Sequence, residues 1–205
     1  MKAHRSRFSY PVFLDLDEVP VLVVGGGRIG WRKAEGLLDA GAIVRLVGAD
    51  ISAHVDVERI TAAGGEVITA TFDDRHLEHQ RLVVTATGDL ETDAAISDAA
   101  RARSIWTNAA DQPVDCEFIL PAITRAGRVT AAISTDGASP ALAGFVRDRV
   151  AEILEAGVAE IADTLATERA AVQVAGGSTE DIDWRPRLDE LFAKHADVPT
   201  GVANR

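Results

Sequence analysis

Val21-Leu-Val-Val-Gly-Gly-Gly-Arg-Ile-Gly-Trp-Arg-Lys33 is the stretch on which the fold of this chain turns. Four apolar, mostly β-branched residues run into a glycine turn, and an amphipathic segment begins at once, so the reading is strand, phosphate loop, helix. Gly25, Gly27 and Gly30 meet the G-x-G-x-x-G spacing. The first glycine permits the tight turn, the second lets backbone approach a pyrophosphate, and the third lets helix and strand pack closely. Gly26, Arg28 and Ile29 complete the loop, and all six residues are expected to bind the cofactor. A purely structural glycine turn has the same spacing. The preceding strand and the helical recurrence of Trp31, Ala34, Leu37, Leu38 and Gly41 favour the dinucleotide site.

Outward from this loop, Val19–Val24 is expected as the first strand, residues 28–40 as a helix closed by Gly41, and Ile43–Val47 as a second strand. A βαβ unit within about thirty residues calls for a parallel sheet. An acid that would bind the ribose hydroxyls is missing from the end of the second strand, where Gly48 and Ala49 stand; Asp50 comes late and reads either as a ribose ligand or as a turn or helix cap. No Arg or Lys lies between Gly48 and Ala53 to receive a 2′-phosphate, so NAD is expected over NADP. Residues 66–71 and 82–86 read as further strands. Thr87 and Gly88 follow at a carboxyl end, where open α/β sheets bind ligands, and join the cofactor-binding set. Residues 92–103 read as a helix and 105–107 as a fifth strand, delivering Asn108-Ala-Ala-Asp111 to the same edge. His76 and His79 share a face of a short capped helix; with no third ligand nearby, a solvated face is expected rather than a metal site.

After Asp111 the pattern changes. Residues 118–123 and 129–134 read as a hairpin joined through Arg125-Ala-Gly-Arg128, followed by Ser134-Thr-Asp-Gly-Ala-Ser-Pro140. Ser139 and Pro140 are a natural N-cap and first helical residue. Leu142, Phe145, Val146, Val150, Ile153 and Leu154 then form an apolar stripe suited to core or subunit interface, with Arg147 and Arg149 off it. Two more helices are expected, from about 156 to 173 and from 187 to 196, and residues 198–205 as a frayed tail.

Size and charge bound the function. The 205 residues supply ample core, and the net charge of −11 argues against nucleic acid or an anionic membrane as partner. No apolar run approaches the roughly 18 residues of a membrane span, and residues 1–10 lack the apolar region of a secretory signal, so a cytoplasmic location is expected. The single cysteine, Cys116, rules out an internal disulfide and is expected as a small, partly buried apolar residue.

The assembled motifs resemble the precorrin-2 dehydrogenase and sirohydrochlorin ferrochelatase family, which completes sirohaem synthesis. The resemblance rests on Pro11-Val-Phe-Leu-Asp-Leu16, the Val21–Gly27 loop with Arg32-Lys33, Thr85-Ala-Thr87, Asn108-Ala-Ala-Asp111, Phe118-Ile-Leu-Pro-Ala122 and Ser134–Pro140 with Leu142-Ala143. These follow one another in the family's order across residues 10–154. The resemblance implies an α/β fold: a Rossmann-like, parallel-sheet NAD domain (1–112), a β-rich dimerisation segment (113–154) and a small helical C-terminal part (155–205), assembled as a homodimer. It implies NAD-dependent oxidation of precorrin-2 to sirohydrochlorin, with ferrous iron insertion as a second activity of some members. The family's catalytic aspartate falls on Asp111. The substrate carries many carboxylates, so Arg125, Arg128 and Arg147 are candidates to receive it, with Asn108, Ser134, Thr135 and Ser139 as hydrogen-bonding partners; surface charge, turn formation and capping account for the same residues. Three positions depart from the family pattern: Gly88 stands where an aspartate is common, Asp136 where glycine is usual, and bulky Trp31 follows the third glycine. A nucleotide-sensing domain that binds NAD without reacting is the alternative reading.

Overall fold

The computed structural model describes residues 7–155 and 157–196, so the tail expected at 198–205 lies outside the described residues. The chain divides into two compact units, 1–120 and 121–205.

The first unit is a five-stranded parallel sheet. Its strands are β1 (Pro20–Val24), β2 (Ile43–Gly48), β3 (Glu66–Thr69), β4 (Leu82–Thr85) and β5 (Trp106–Ala109), in the spatial order β3-β2-β1-β4-β5. Val21 pairs with Val44 on one side and Leu82 on the other. Because β1 is central and both sheet faces are covered, its run is continuously apolar rather than alternating. Val21, Val23, Val44, Leu46 and Val84 point to a core shared with Ala34 and Leu37 of α1 (Arg28–Leu38) and Ile60 of α2 (Val57–Ala62). Leu22, Val24, Val47 and Val83 point to the opposite core with Ile96 and Ala100 of α3 (Leu90–Arg101). Chain direction across the sheet reverses between β1 and β4, which places the switch point at the glycine loop.

Several elements differ from expectation. α2 shows no long apolar period and is held by Asp56, whose side chain accepts from the Arg59 N–H. The strand expected at 105–107 runs from 106 to 109, so Asn108 is inside β5 and buried. His76 is not on a solvated face: it is buried, and its Nδ1 accepts the Asp73 N–H at 3.0 Å in a capping box around a 3-10 turn. The unit ends eight residues beyond the expected 112 because residues 113–120 return to β5. The Glu117 and Phe118 N–H groups reach the Thr107 carbonyl, and Asn108 Nδ2 donates to the Phe118 carbonyl at 3.0 Å.

The second unit joins the two segments that were expected to be separate. The hairpin β6 (Ala122–Ala126) and β7 (Val129–Ile133) pairs Arg125 with Thr130 and begins four residues later than the apolar run at Phe118 suggests. α4 (Pro140–Leu154) lies on both strands; α5 (Val158–Val174) packs on α4 and α6 (Arg185–Ala196) on α5. Ser139 caps α4 as expected, accepting the Leu142 N–H at 3.1 Å. In this chain Leu142, Phe145 and Ile153 of the α4 stripe are exposed, so that part of the stripe is not core.

Candidate active site

The β1–α1 loop is fixed by backbone contacts that leave no room for side chains. Gly25 adopts φ +130°, and a Cβ there would stand 2.2 Å from the Ala86 carbonyl oxygen. A Cβ at Gly30 would stand 1.9 Å from the Gly25 carbonyl oxygen, so only glycine lets α1 start this close to the turn. The Gly25 N–H donates to Val47 at 2.7 Å and the Ser52 N–H to Gly26 at 2.8 Å, tying the loop to the end of β2. Gly27 differs. A Cβ there would meet nothing within 4 Å, so the backbone at the start of α1 faces open space.

Two cavities flank this loop. The first, about 470 Å³, lies over the ends of β1, β2 and β3 and is lined by Gly25–Gly27, Gly48–Ser52, Ala70–Phe72, Ala86, Thr87 and Thr92. The second, about 440 Å³, lies over the ends of β4 and β5 and is lined by Gly27, Arg28, Ile29, Thr87, Gly88, Leu90, Asp93 and Asp111 among others. Gly27, Ala86 and Thr87 border both. Their arrangement across the switch point suits a dinucleotide with its pyrophosphate at Gly27 and one nucleoside on each side. The donor set agrees: Gly27, the residue preceding α1, contributes no side-chain cap, no acid occupies the helix's first turn, and its N–H groups are open to an anion.

The candidate cofactor residues thus converge. Gly25, Gly26, Gly27, Arg28, Ile29, Thr87 and Gly88 line the two cavities, while Gly30 supports them from beneath. Asp50 is in the wall of the first cavity, whose lining includes no lysine or arginine. Sequence reasoning missed Ser52, Thr71 and Phe72 in that wall and Asp93 in the second. The carboxyl-end rule that singled out Thr87 would have reached the β2 and β3 residues too.

Asp111 is exposed at the end of β5, in the lining of the second cavity, with φ +59°. Beneath it Cys116 is buried; its Sγ accepts the Ala109 N–H at 3.2 Å, and burial pushes the thiol pKa up. Asn108 is a structural tie, with Oδ1 buried and unpaired among the described residues. Half-buried Lys33 of α1 faces this corner. Burial and then Arg32 lower its pKa, and the charges of Asp111 and Cys116 oppose that shift.

In the second unit, Ser134, Thr135 and Ser139 meet in one turn. The Ser134 hydroxyl accepts the Asp136 N–H, and Thr135 Oγ1 exchanges hydrogen bonds with the Ser139 backbone. Arg125 and Arg128 lie at the hairpin tip, the other end of β7, roughly 17 Å away by strand rise, so the structure does not gather them with the serine-rich turn. Arg128 pairs with Asp163 at 2.8 Å and Arg147 with Asp148 at 2.6 Å. No group of three His, Cys, Asp or Glu side chains suited to a metal ion occurs among the described residues.

Residues 12–122, more than half of the chain, match the model of a family described as "Putative NAD(P)-binding". The chain is 41% identical over 140 residues to a siroheme synthase of Methylococcus capsulatus, covering 68% of this chain and 29% of that protein. It is 35% identical over 189 residues to one of Nitrosomonas eutropha, covering 90% and 39%. Among solved structures, "SirC, precorrin-2 dehydrogenase" superposes with a TM-score of 0.68 at 27% identity, over 92% of this chain and 90% of that one. The chain belongs to the precorrin-2 dehydrogenase and sirohydrochlorin ferrochelatase family. It spans between 29% and 39% of these two siroheme synthases.

Against that family's pattern the departures have local reasons. Gly88 sits at φ +85°, where glycine is unstrained. Asp136 holds φ +53°, a conformation in which aspartate is among the better-tolerated side chains. Trp31 is partly buried against the β1–β2 core and stays clear of both cavities.

Proposed function

We propose that this protein oxidises precorrin-2 to sirohydrochlorin with NAD in sirohaem synthesis, acting as a homodimer. The observation that carries the reading is that Gly27, Ala86 and Thr87 border both cavities, the second of which is also lined by Asp111. The overlap with a precorrin-2 dehydrogenase over nine tenths of both chains supports it.

The nicotinamide cofactor supplies a hydride acceptor, and the protein supplies position and a proton acceptor. Gly27 and the first N–H groups of α1 hold the diphosphate. Asp50, Ser52 and Thr71 are the polar groups available to a ribose, and the absence of a basic residue from that lining favours an unphosphorylated one. Thr87, clamped from below, fixes the floor shared by the two cavities. A carboxylate oxygen of Asp111 accepts the proton that the substrate loses as a carbon–hydrogen bond is oxidised, and the same group serves pyrrole N–H protons when ferrous iron is the second substrate. Asn108 is held as a structural tie and lines neither cavity, which leaves Ser134, Thr135, Ser139, Arg125 and Arg128 as separate candidates for the tetrapyrrole and its carboxylates; of these, Arg125 is the exposed cation without an ion pair among the described residues.

Anaerobic incubation with precorrin-2 and NAD tests this function, reading NADH absorbance together with the tetrapyrrole spectrum. Both signals rising, and both falling in Asp111→Asn with NAD binding retained, is the expected result. NAD binding without any NADH would favour a nucleotide sensor instead. Ferrous or cobaltous ion added to sirohydrochlorin measures chelation separately.

A further inference from the structure

Asp93 is 2% exposed, in the first turns of α3, yet it forms part of the wall of the cavity at the ends of β4 and β5. Its Oδ1 accepts the Thr87 N–H at 3.1 Å and the Thr87 hydroxyl at 2.9 Å. None of the ion pairs among the described residues includes it. A carboxylate taken out of water is costly unless it is paired and hydrogen-bonded. The two Thr87 donors and the positive end of α3 offset part of that cost, and the remaining negative field falls on the cavity it borders.

Three other charged groups are close. Arg28 and Asp111 line the same cavity but are exposed, so solvent and salt screen them. Asp89, the N-cap of α3, is exposed and commits its carboxylate to Thr92. Asp93 is the buried acid of the group, and buried charges are screened least. With a dinucleotide across the switch point and one nucleoside over β2, the other, carrying the nicotinamide, lies over β4 and β5. The ring there is cationic in the oxidised cofactor and neutral in the reduced one.

We infer that Asp93 is a cofactor-selecting residue: its fixed negative charge in the wall of the β4–β5 cavity makes the site bind NAD+ in preference to NADH, loading the oxidant and releasing the reduced product. This rests on the reading of the glycine loop as an NAD site. Charge and geometry are separable here, because Asn at this position keeps an Oδ1 able to accept both Thr87 bonds while losing the charge.

The test is titration of the full-length protein with NAD+ and with NADH, by calorimetry and by NADH fluorescence. The wild-type protein is expected to bind NAD+ the more tightly. Asp93→Asn is expected to lose on the order of tenfold of that preference, through weaker NAD+ binding with NADH unchanged or tighter. Asp93→Ala, which also frees Thr87, weakens both. A wild-type protein that binds NAD+ with no preference over NADH overturns the inference without any variant, as does an unchanged Kd ratio in Asp93→Asn. A wild-type protein that binds neither form overturns the dinucleotide reading itself, and the inference with it.

Discussion

Asp111, proposed as the proton acceptor, stands in a cavity wall on a strained backbone. A non-glycine residue at φ +59° carries a cost of about 1 kcal/mol that glycine avoids. Asp111→Gly is therefore expected to raise the melting temperature while abolishing turnover, whereas Asp111→Asn, which tolerates the same backbone, should lose about 10²- to 10⁴-fold in rate with NAD affinity kept. Glu117 lies outside both cavity linings and ties the chain beyond β5 to Thr107 and Arg101. Burial pushes its carboxyl pKa up, but hydrogen bonds from Thr107 and Arg101 outweigh this and hold it below 4.5. Its contribution is present above the unfolded value and is lost as pH falls through the folded one. Glu117→Gln should cost about 1–2 kcal/mol at pH 7, and the difference from wild type should shrink below pH 4 in thermal denaturation. Asp111 was legible in the sequence from its place after a strand and from the family motif. Asp93 was not, because its burial depends on how α3 lies on the sheet.

The β1–α1 loop shows most clearly what local sequence determines. Its glycine spacing is read within thirteen residues; Gly25 and Gly30 each answer a separate backbone contact, and Gly27 faces open space. Gly30→Ala would drive a Cβ against the Gly25 carbonyl and is expected to lower stability and NAD affinity together. Gly27→Ala has open space and should leave the melting temperature within a degree or two while weakening NAD binding at least tenfold, as calorimetry would show. The strands were legible because a sheet covered on both faces writes itself as apolar runs. α2 and the residues just beyond β5 were not: six helical residues carry too little periodicity, and the fold of 113–120 back onto β5 depends on Glu117, Phe118 and Asn108 pairing over ten or eleven positions.

At the scale of the whole molecule, the residues proposed for the substrate come from stretches far apart in the chain, and the hairpin arginines and the serine-rich turn stand at opposite ends of β7. Residues 121–196 form one unit because α4 and α5 both pack against the hairpin strands, a pattern that composition alone does not reveal. The outward face of α4 in this chain exposes Phe145 at 61% and Ile153 at 67%, which fits the proposed homodimer. Phe145→Glu is expected to shift sedimentation from dimer to monomer at micromolar concentration. No helix of the described residues is long and apolar enough to cross a membrane. The proposed reaction is oxidation of a tetrapyrrole beside Asp111 by a dinucleotide held at Gly27. A stoichiometric measurement under anaerobic conditions tests it most directly, with limiting precorrin-2, excess NAD and the wild-type protein. One NADH formed per sirohydrochlorin is the predicted result; folded, NAD-bound protein that leaves precorrin-2 unoxidised, or oxidises it without forming NADH, would contradict it.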